Sequence, residues 1–554
     1  MAGGAQLLLL DDLIRSYQGH NLASIAQSLL IQQSDEKRVA GIVFRAGALY
    51  QQGETMAALS QLISSRRLFG LVPLPVIANI VWLAQQSGQE QTAAWECYHF
   101  AKDAFRLGYP NLGMEAMTAA YILDGMARFE LIRSPEILRE TGQLYAVAAM
   151  DSGLTRKVRR VPQPHSGPIR VALVVPNLVD HVVAYTRRVV QYARHLDRNQ
   201  FQMSVYVSEN LSARENPGFP FGCVSGHSEI TGAHTINALK QLNVPVVIMS
   251  RKWSCMETGR QLAMRLDADQ VDVALFQSGM ACPIDWIAAY ASAVPVKVGI
   301  HIGSSYYGAG LDCMVVDNPE NLKRETNWDA SDGERIVMPK GVDFDVMEGQ
   351  PPVSRTRLGI PEEAVLVGTM SNHLDKRLSP EYLEVIAGVM KKHPQVWFVP
   401  IGCGTLPDKV KFFQQHGLEG RVRFAGRHLM PAAILKVLDI YASEFPVGGS
   451  QSVMEAMACG LPVVAMKWGD AHAESVATEL IGEPHALPER DLDAYAARLE
   501  GFITSVSVRQ DVGNAMRMRA RKNFDAAGCI RKVIDHGLAI RQLLDADLPD
   551  RCSQ

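Results

Sequence analysis

Residues 444–466 read Glu-Phe-Pro-Val-Gly-Gly-Ser-Gln-Ser-Val-Met-Glu-Ala-Met-Ala-Cys-Gly-Leu-Pro-Val-Val-Ala-Met, a composition suited to holding phosphate. Gly448 and Gly449 remove side chains where a ligand must approach the backbone. Ser452 and Glu455 stand at the Ser-x-x-Glu spacing of a capping box, which predicts a helix capped by Ser452. Unpaired amides and the positive end of the helix dipole favour an anion there, and Ser450, Gln451 and Ser452 add hydroxyl and amide donors. Gly460 stops the helix, and Leu461–Met466 return as a strand. The plainer alternative is a well-capped βαβ packing unit, but paired glycines followed by three small polar residues do little for packing alone. By itself the loop identifies neither ligand nor reaction.

Two other segments could supply partners. A predicted strand at 169–176 runs into Pro-Asn-Leu-Val-Asp-His-Val-Val-Ala-Tyr, ending at Tyr185. An imidazole there, His181, can take a proton from an attacking hydroxyl or amide near neutral pH, with Asp180 or Tyr185 to orient it. The alternative is a histidine that only touches loop backbone. A second strand, 365–370, is followed by Ser-Asn-His-Leu-Asp-Lys-Arg-Leu-Ser-Pro, and Pro380 suits the start of the next helix. Lys376 could neutralise charge that grows on a departing phosphate, and Arg377 could do the same. Asp375 could simply pair with one of them as a surface salt bridge.

Positioning these groups calls for three regions. Residues 1–151 carry helical periodicity with Gly- or Pro-bearing turns, and segments 38–51, 54–64, 76–87, 91–107 and 111–123 read as helices of a degenerate helical-hairpin array. Residues 152–168, with four basic residues and three prolines, read as a linker whose Arg156, Lys157, Arg159 and Arg160 form a solvated hinge. No aromatic residues interleave them, which argues against nucleic acid. Residues 169–340 then alternate strand and helix, with strands at 169–176, 202–207, 271–276, 296–299 and 313–316. Residues 341–554 repeat the pattern with strands at 365–370, 397–401, 422–424, 440–442 and 463–466, followed by C-terminal helices. The predicted fold class is α/β, with two Rossmann-like domains facing across a cleft after an all-α domain. Chemistry is expected at the carboxyl ends of the strands.

Composition supports a globular reading. The 554 residues are 47% apolar and 20% charged, with 58 acidic and 55 basic side chains and a net charge of −3, which argues against a general nucleic-acid or membrane-surface binder. The start, with four leucines followed by two aspartates, lacks the basic opening of a secretory signal, and no stretch suggests a membrane span, so the cytoplasm is expected. Nine cysteines without a Cys-x-x-Cys pair suit reduced thiols and no structural zinc.

The motifs at 176–181, 372–380 and 445–452, in this order, resemble glycosyltransferase family 41. That family includes the protein O-GlcNAc transferases and bacterial cytoplasmic N-glucosyltransferases, in which helices precede two GT-B domains. The resemblance implies a GT-B glycosyltransferase that takes a UDP-sugar as co-substrate, has no other cofactor and acts on a protein acceptor presented by the helical domain. His181 matches the family's cleft histidine and Lys376 its lysine on the diphosphate. Gly449, Ser450, Gln451 and Ser452 match its phosphate loop, with Asn372 and Arg377 beside them. His428 and Leu429 fall where the main chain holds the uracil. Tyr185, Ser278, Gly279, Met280, His301 and Ser304 fall on the acceptor side.

The chain also departs from the family pattern. It has Ser-Gln-Ser where relatives have Thr-Thr or Asn-Thr-Asn, and Ser304 stands at the usual His or Tyr. Glu444 and Glu455 lie farther apart than the glutamate pair of retaining GT-B enzymes. Asp267-Ala-Asp269 has the Asp-x-Asp form of a metal site but precedes its strand, so it is read as a loop facing away from the cleft, and no metal is expected. Transfer to a glycan, a lipopolysaccharide or a small molecule, UDP-sugar epimerisation and a non-catalytic helical scaffold are the alternatives.

Overall fold

The computed structural model describes residues 35–126, 134–160, 167–178, 184–208, 232–250, 254–301, 305–316, 333–404, 406–428, 430–468 and 476–546. His181, Ser304 and Leu429 lie outside the described residues, and Tyr185 is described only as backbone at the start of a helix.

The N-terminal region is an array of helices: α1 (Asp35–Gln51), α2 (Thr55–Ser65), α3 (Leu74–Gln86), α4 (Glu90–Arg106), α5 (Pro110–Met126) and α6 (Pro135–Asp151). One closing device recurs. After α1, α3, α4 and α6 a glycine takes positive φ and the next amide reaches back five residues: Glu54 to the Leu49 carbonyl (3.0 Å), Gln89 to Ala84 (2.7 Å), Tyr109 to Ala104 (2.8 Å) and Leu154 to Ala149 (2.9 Å). Helix α6 was not among the predicted segments. Ser134 caps it by accepting from the Ile137 amide at 3.3 Å, and Pro135 opens it.

The first α/β domain holds β1 (Ile169–Val175), α7 (Ala184–His195), β2 (Phe201–Val207), α8 (Ala233–Gln241), β3 (Val246–Ile248), α9 (Cys255–Ala268), β4 (Val273–Phe276), α10 (Pro283–Ala291), β5 (Val296–Ile300), β6 (Cys313–Val316) and β7 (Glu334–Val337). The strands form one parallel sheet in the order β3-β2-β1-β4-β5-β6-β7. Its central strands are runs of Val, Leu and Ile because helices cover both faces.

The second domain contains α11 (Phe344–Gly349), β8 (Val365–Ser371), α12 (Leu374–Arg377), α13 (Pro380–Lys392), β9 (Val396–Gly402), α14 (Pro407–Gln415), α15 (Pro431–Leu435), β10 (Ile440–Ala442), α16 (Ser450–Ala458), β11 (Val463–Val464), α17 (Ala477–Ile481), α18 (Leu492–Thr504) and α19 (Val506–Phe524), with α20 (Ala526–Ala546) after it. Its parallel sheet runs β11-β10-β8-β9. The predicted strand 422–424 is corrected. That segment follows the edge of β9 through isolated bridges at Val422 and Gly426, with the Arg423 amide on the Phe398 carbonyl (2.9 Å) and the Ala425 amide on that of Pro400 (3.0 Å).

The chain crosses between the α/β domains twice, side by side. The Val342 amide donates to the Phe524 carbonyl (2.7 Å), and the Ala526 amide donates back to the Val342 carbonyl (3.0 Å). Gly341 is required here, because a Cβ on it would lie 2.9 Å from the Ala526 Cα and its φ is +81°. Past the second crossing, α20 packs on the first domain, where Ile530, Val533 and Ile534 share a buried cluster with Val171, Val273 and Val296.

The solvated hinge is corrected in part, because Arg159 and Arg160 are half-buried against the first domain while Arg156 and Lys157 stay exposed. Arg159 pairs with Asp312 and donates to the Gly310 carbonyl (2.9 Å), Lys157 pairs with Asp267 (2.7 Å), and Arg160 reaches the Val271 carbonyl (2.5 Å). The Asp-x-Asp carboxylates are thereby occupied. Asp267 also accepts from the Ala293 amide (2.8 Å), and Asp269 holds Arg265 and the Tyr206 hydroxyl (each 2.7 Å). No helix among the described residues is long and apolar enough to cross a membrane.

Candidate active site

At the carboxyl edge of the second sheet lies an open cavity of about 250 Å³. Three strand ends and the segment beside β9 build it. Met370, Ser371, Asn372 and His373 leave β8, and Ile401 and Gly402 leave β9. Arg427 and His428 follow the segment paired to β9, and Gly449–Ser452 follow β10. Arg377 enters from α12 and Pro431 from α15, while Lys340 comes from the crossing segment and Arg187 from the first domain. This is where a parallel open sheet binds ligands.

The 449–452 loop lies at the cavity, and its predicted register is corrected. Helix α16 begins at Ser450, two residues before the predicted cap, and its N-cap is Gly449 in extended conformation (φ −97°, ψ 126°). Ser452 therefore sits in the first turn, where its hydroxyl donates to the Gly449 carbonyl at 3.4 Å, and no Ser452–Glu455 capping box forms. The first helical bond runs from the Val453 amide to the Gly449 carbonyl (3.4 Å), which leaves the amides of Ser450, Gln451 and Ser452 outside the helix ladder. A Cβ on Gly449 would lie 2.5 Å from Ser452 Oγ and 3.1 Å from Arg377 Nη1, so both side chains would have to shift.

Arg377 is thus the cation beside the loop. Lys376, its neighbour on a four-residue helical turn, is half-buried and does not line the cavity. Successive helical side chains point about 100° apart, and here Arg377 takes the loop side. The turn is anchored by Ser379, whose hydroxyl accepts from the Tyr382 amide (3.1 Å) and donates to the Phe445 carbonyl (2.8 Å). His428 lines the cavity with Nε2 3.2 Å from the Ala425 carbonyl. Asn372 is exposed at its rim.

Four cations, Arg187, Lys340, Arg377 and Arg427, face one carboxylate, Glu455, in this lining. Such a field selects an anion. Beneath it Glu444 is 4% exposed. Burial pushes its carboxyl above the usual range, against the pull of Arg377.

The acceptor-side residues occupy another environment. Ser278 is buried, with its hydroxyl on Asp285 Oδ2 (2.6 Å) and against the Tyr306 hydroxyl. Asp285 lies in the apolar interior, which pushes its carboxyl up to about 6 despite hydrogen bonds from Ser208 and Ser278. Met280 is fully buried, and its carbonyl accepts from Tyr145 of the helical array. Gly279 closes the turn between them, its carbonyl accepting from the Cys282 amide (2.9 Å). His301 is half-buried, with Nδ1 3.3 Å from Ser305 Oγ. None of these residues lines the cavity.

The sequence reading missed Arg187 and Lys340 as lining groups. A signal existed for Arg187: two arginines, 187 and 188, stand in the opening turns of the helix after β1, where the helix dipole disfavours cations unless an acid faces them.

Residues 362–505 match the family model described as Glycosyl transferases group 1. No curated protein matches the sequence. Among solved structures, a mutant O-GlcNAc transferase of Thermobaculum terrenum is similar over 97% of this chain and 98% of its own, at 16% identity and a TM-score of 0.55. A glycosyltransferase of Rickettsia africae is similar over 67% of this chain and 98% of its own (13% identity, TM-score 0.51). Anabaena HepE, solved with UDP and glucose, is similar over 66% of this chain and 99% of its own (16% identity, TM-score 0.50). At these identities the structural likeness is one of fold. The chain has the GT-B fold of a glycosyltransferase, and residues 362–505 of its second α/β domain match the model of glycosyl transferases group 1.

Proposed function

We propose that this glycosyltransferase transfers a sugar from a UDP-sugar to a polypeptide or another large acceptor without a metal ion. The observation that supports this most is the cavity itself, which combines the unladdered amides of Ser450–Ser452 with Arg377, Arg427 and Lys340. A diphosphate would meet helix amides and guanidinium groups there, which stabilise charge on the leaving nucleotide without reorganising. UDP in the structure of Anabaena HepE gives the nucleotide a precedent on the same fold. His428 and Leu429 would border the uracil and Asn372 the phosphates.

In this reading Arg377 holds the ground-state diphosphate, and Lys376 on the same turn answers the charge that develops as the glycosidic bond breaks. His181 takes the proton of the acceptor hydroxyl or amide. The helical array, docked on the first α/β domain through Tyr145, supports a large acceptor better than a small one.

The test is calorimetric titration of the full chain with UDP, GDP and ADP, followed by transfer from labelled UDP-sugars to protein, glycan and small-molecule acceptors. Binding of UDP alone and label in protein is expected. Binding of no nucleotide would remove the assignment, and sugar isomerisation without an acceptor would turn it into an epimerase. Label in glycans or small molecules only would move the acceptor.

A further inference from the structure

The two α/β domains are tied to each other inside the cavity. Arg187, on α7 of the first domain, places Nη1 2.6 Å from Glu455 Oε1 on α16 of the second. Gln451 Nε2 donates to the same oxygen at 3.1 Å and to the carbonyl of Gly341 in the crossing segment at 3.3 Å. One carboxylate oxygen therefore joins the first domain, the phosphate loop and the point where the chain crosses.

The cluster is incomplete. Glu455 is 2% exposed, and its Oε2, like Arg187 Nε, is buried with no hydrogen-bond partner among the described residues. Taking an ion pair from water is recovered only when its remaining donors and acceptors are satisfied. Glu455 also lines the cavity, so a ligand there lies beside this carboxylate. An ionised carboxylate only accepts, so the group that completes it must be a donor such as a hydroxyl.

We propose that Arg187 is a positioning residue for the sugar nucleotide: from the opposite domain it holds Glu455 so that Oε2 accepts a hydroxyl of the bound donor. This rests on the UDP-sugar reading above. The donor then completes the buried pair, and its binding favours the closed arrangement of the two domains. Glu455 without Arg187 would be a buried carboxylate lacking its counter-charge and free to reorient.

Three measurements on the full chain test this: UDP titration by calorimetry, small-angle scattering with and without UDP, and steady-state kinetics with the donor. For Arg187→Met we expect the UDP Kd and the donor KM to rise about tenfold, while kcat at saturating donor stays within about threefold, the pattern of lost ground-state positioning. The free variant should show a larger radius of gyration that UDP reduces. Glu455→Gln should weaken UDP similarly, and the double variant should be no worse than the single ones, because the two side chains act as a unit. Thermal melting of each variant separates these effects from loss of fold, and should Arg187→Met not fold, Arg187→Lys carries the same comparison. UDP binding by Arg187→Met equal to wild type, or additive effects in the double variant, would overturn the role of Arg187 and leave the glycosyltransferase reading standing. Failure of the wild type to bind UDP would overturn both.

Discussion

The Tyr145 hydroxyl, on the last helix of the N-terminal array, donates to the carbonyl of Met280 in the first α/β domain across 3.1 Å. Both residues are fully buried, and Trp286 completes the joint: its ring meets Tyr145 edge-on at 5.6 Å, stacks on Tyr290 at 5.1 Å, and donates its indole N–H to the Tyr307 carbonyl at 2.7 Å. The array and the 278–280 loop are therefore parts of one body.

Trp286→Ala should destabilise that body strongly. It removes a fully buried ring, its stacking partner and a hydrogen bond, a cost of about 3–5 kcal/mol for an aromatic truncation in a core. Tyr145→Phe removes only the hydroxyl, for about 1 kcal/mol. Urea unfolding, with limited proteolysis of the helical array as a second probe, should show this order.

Adjacent cations should separate binding from chemistry. Arg377 lines the cavity and Lys376 does not. Arg377→Met is expected to weaken UDP about tenfold or more, as loss of a charge-assisted contact does. Lys376→Ala should leave the UDP Kd within about threefold and lower kcat about 100-fold or more, because its interaction strengthens only as the leaving group forms. Near-normal turnover by Lys376→Ala would remove its assigned role.

Gly449→Ala should spare the fold and injure the site. Its φ of −97° suits any residue, so the backbone is not strained. The added methyl would instead crowd Ser452 Oγ at 2.5 Å and Arg377 Nη1 at 3.1 Å. We expect a melting temperature close to wild type and a UDP Kd raised about tenfold by calorimetry, since both displaced groups border the diphosphate.

Asp285 gives a pH dependence of definite sign. Its folded pKa, raised from 3.8 to about 6, means the native state holds the proton more tightly than the unfolded chain. The stability it contributes is full below pH 3.8 and is lost as pH rises to about 6. The loss is about 3 kcal/mol, since each pKa unit is worth about 1.4 kcal/mol. Asp285→Asn should remove this component, so the variant gains stability relative to wild type between about pH 4 and 6 in denaturant titrations.

Much of the fold was legible because strands buried on both faces read as short apolar runs. β6 and β10 match the predicted bounds, and β1, β8 and β9 differ by a residue or so. The place of the 449–452 loop at the cavity was legible for a similar local reason, since paired glycines before small polar residues mark a break between strand and helix. Its register was not, because Ser-x-x-Glu also occurs inside a first turn, and the preceding extended Gly449 decides which case applies. The strand at 422–424 looked regular in sequence but meets its neighbour only through isolated bridges. The choice of Arg377 over Lys376 depends on the rotation of one helical turn. Arg187 and Lys340 come from outside the second domain, and no local pattern shows which distant carboxylate will receive a guanidinium.

The return of α20 to the first sheet bears on how the protein is made. A ribosome delivers β1 through β7 some two hundred residues before Ile530, Val533 and Ile534, which complete their hydrophobic cluster. Until those residues are made, the first α/β domain carries an uncovered apolar face, a hazard for sticking to other nascent chains. Shortened versions that stop after Phe524 should accumulate in inclusion bodies even though every element of the cavity has already been synthesised.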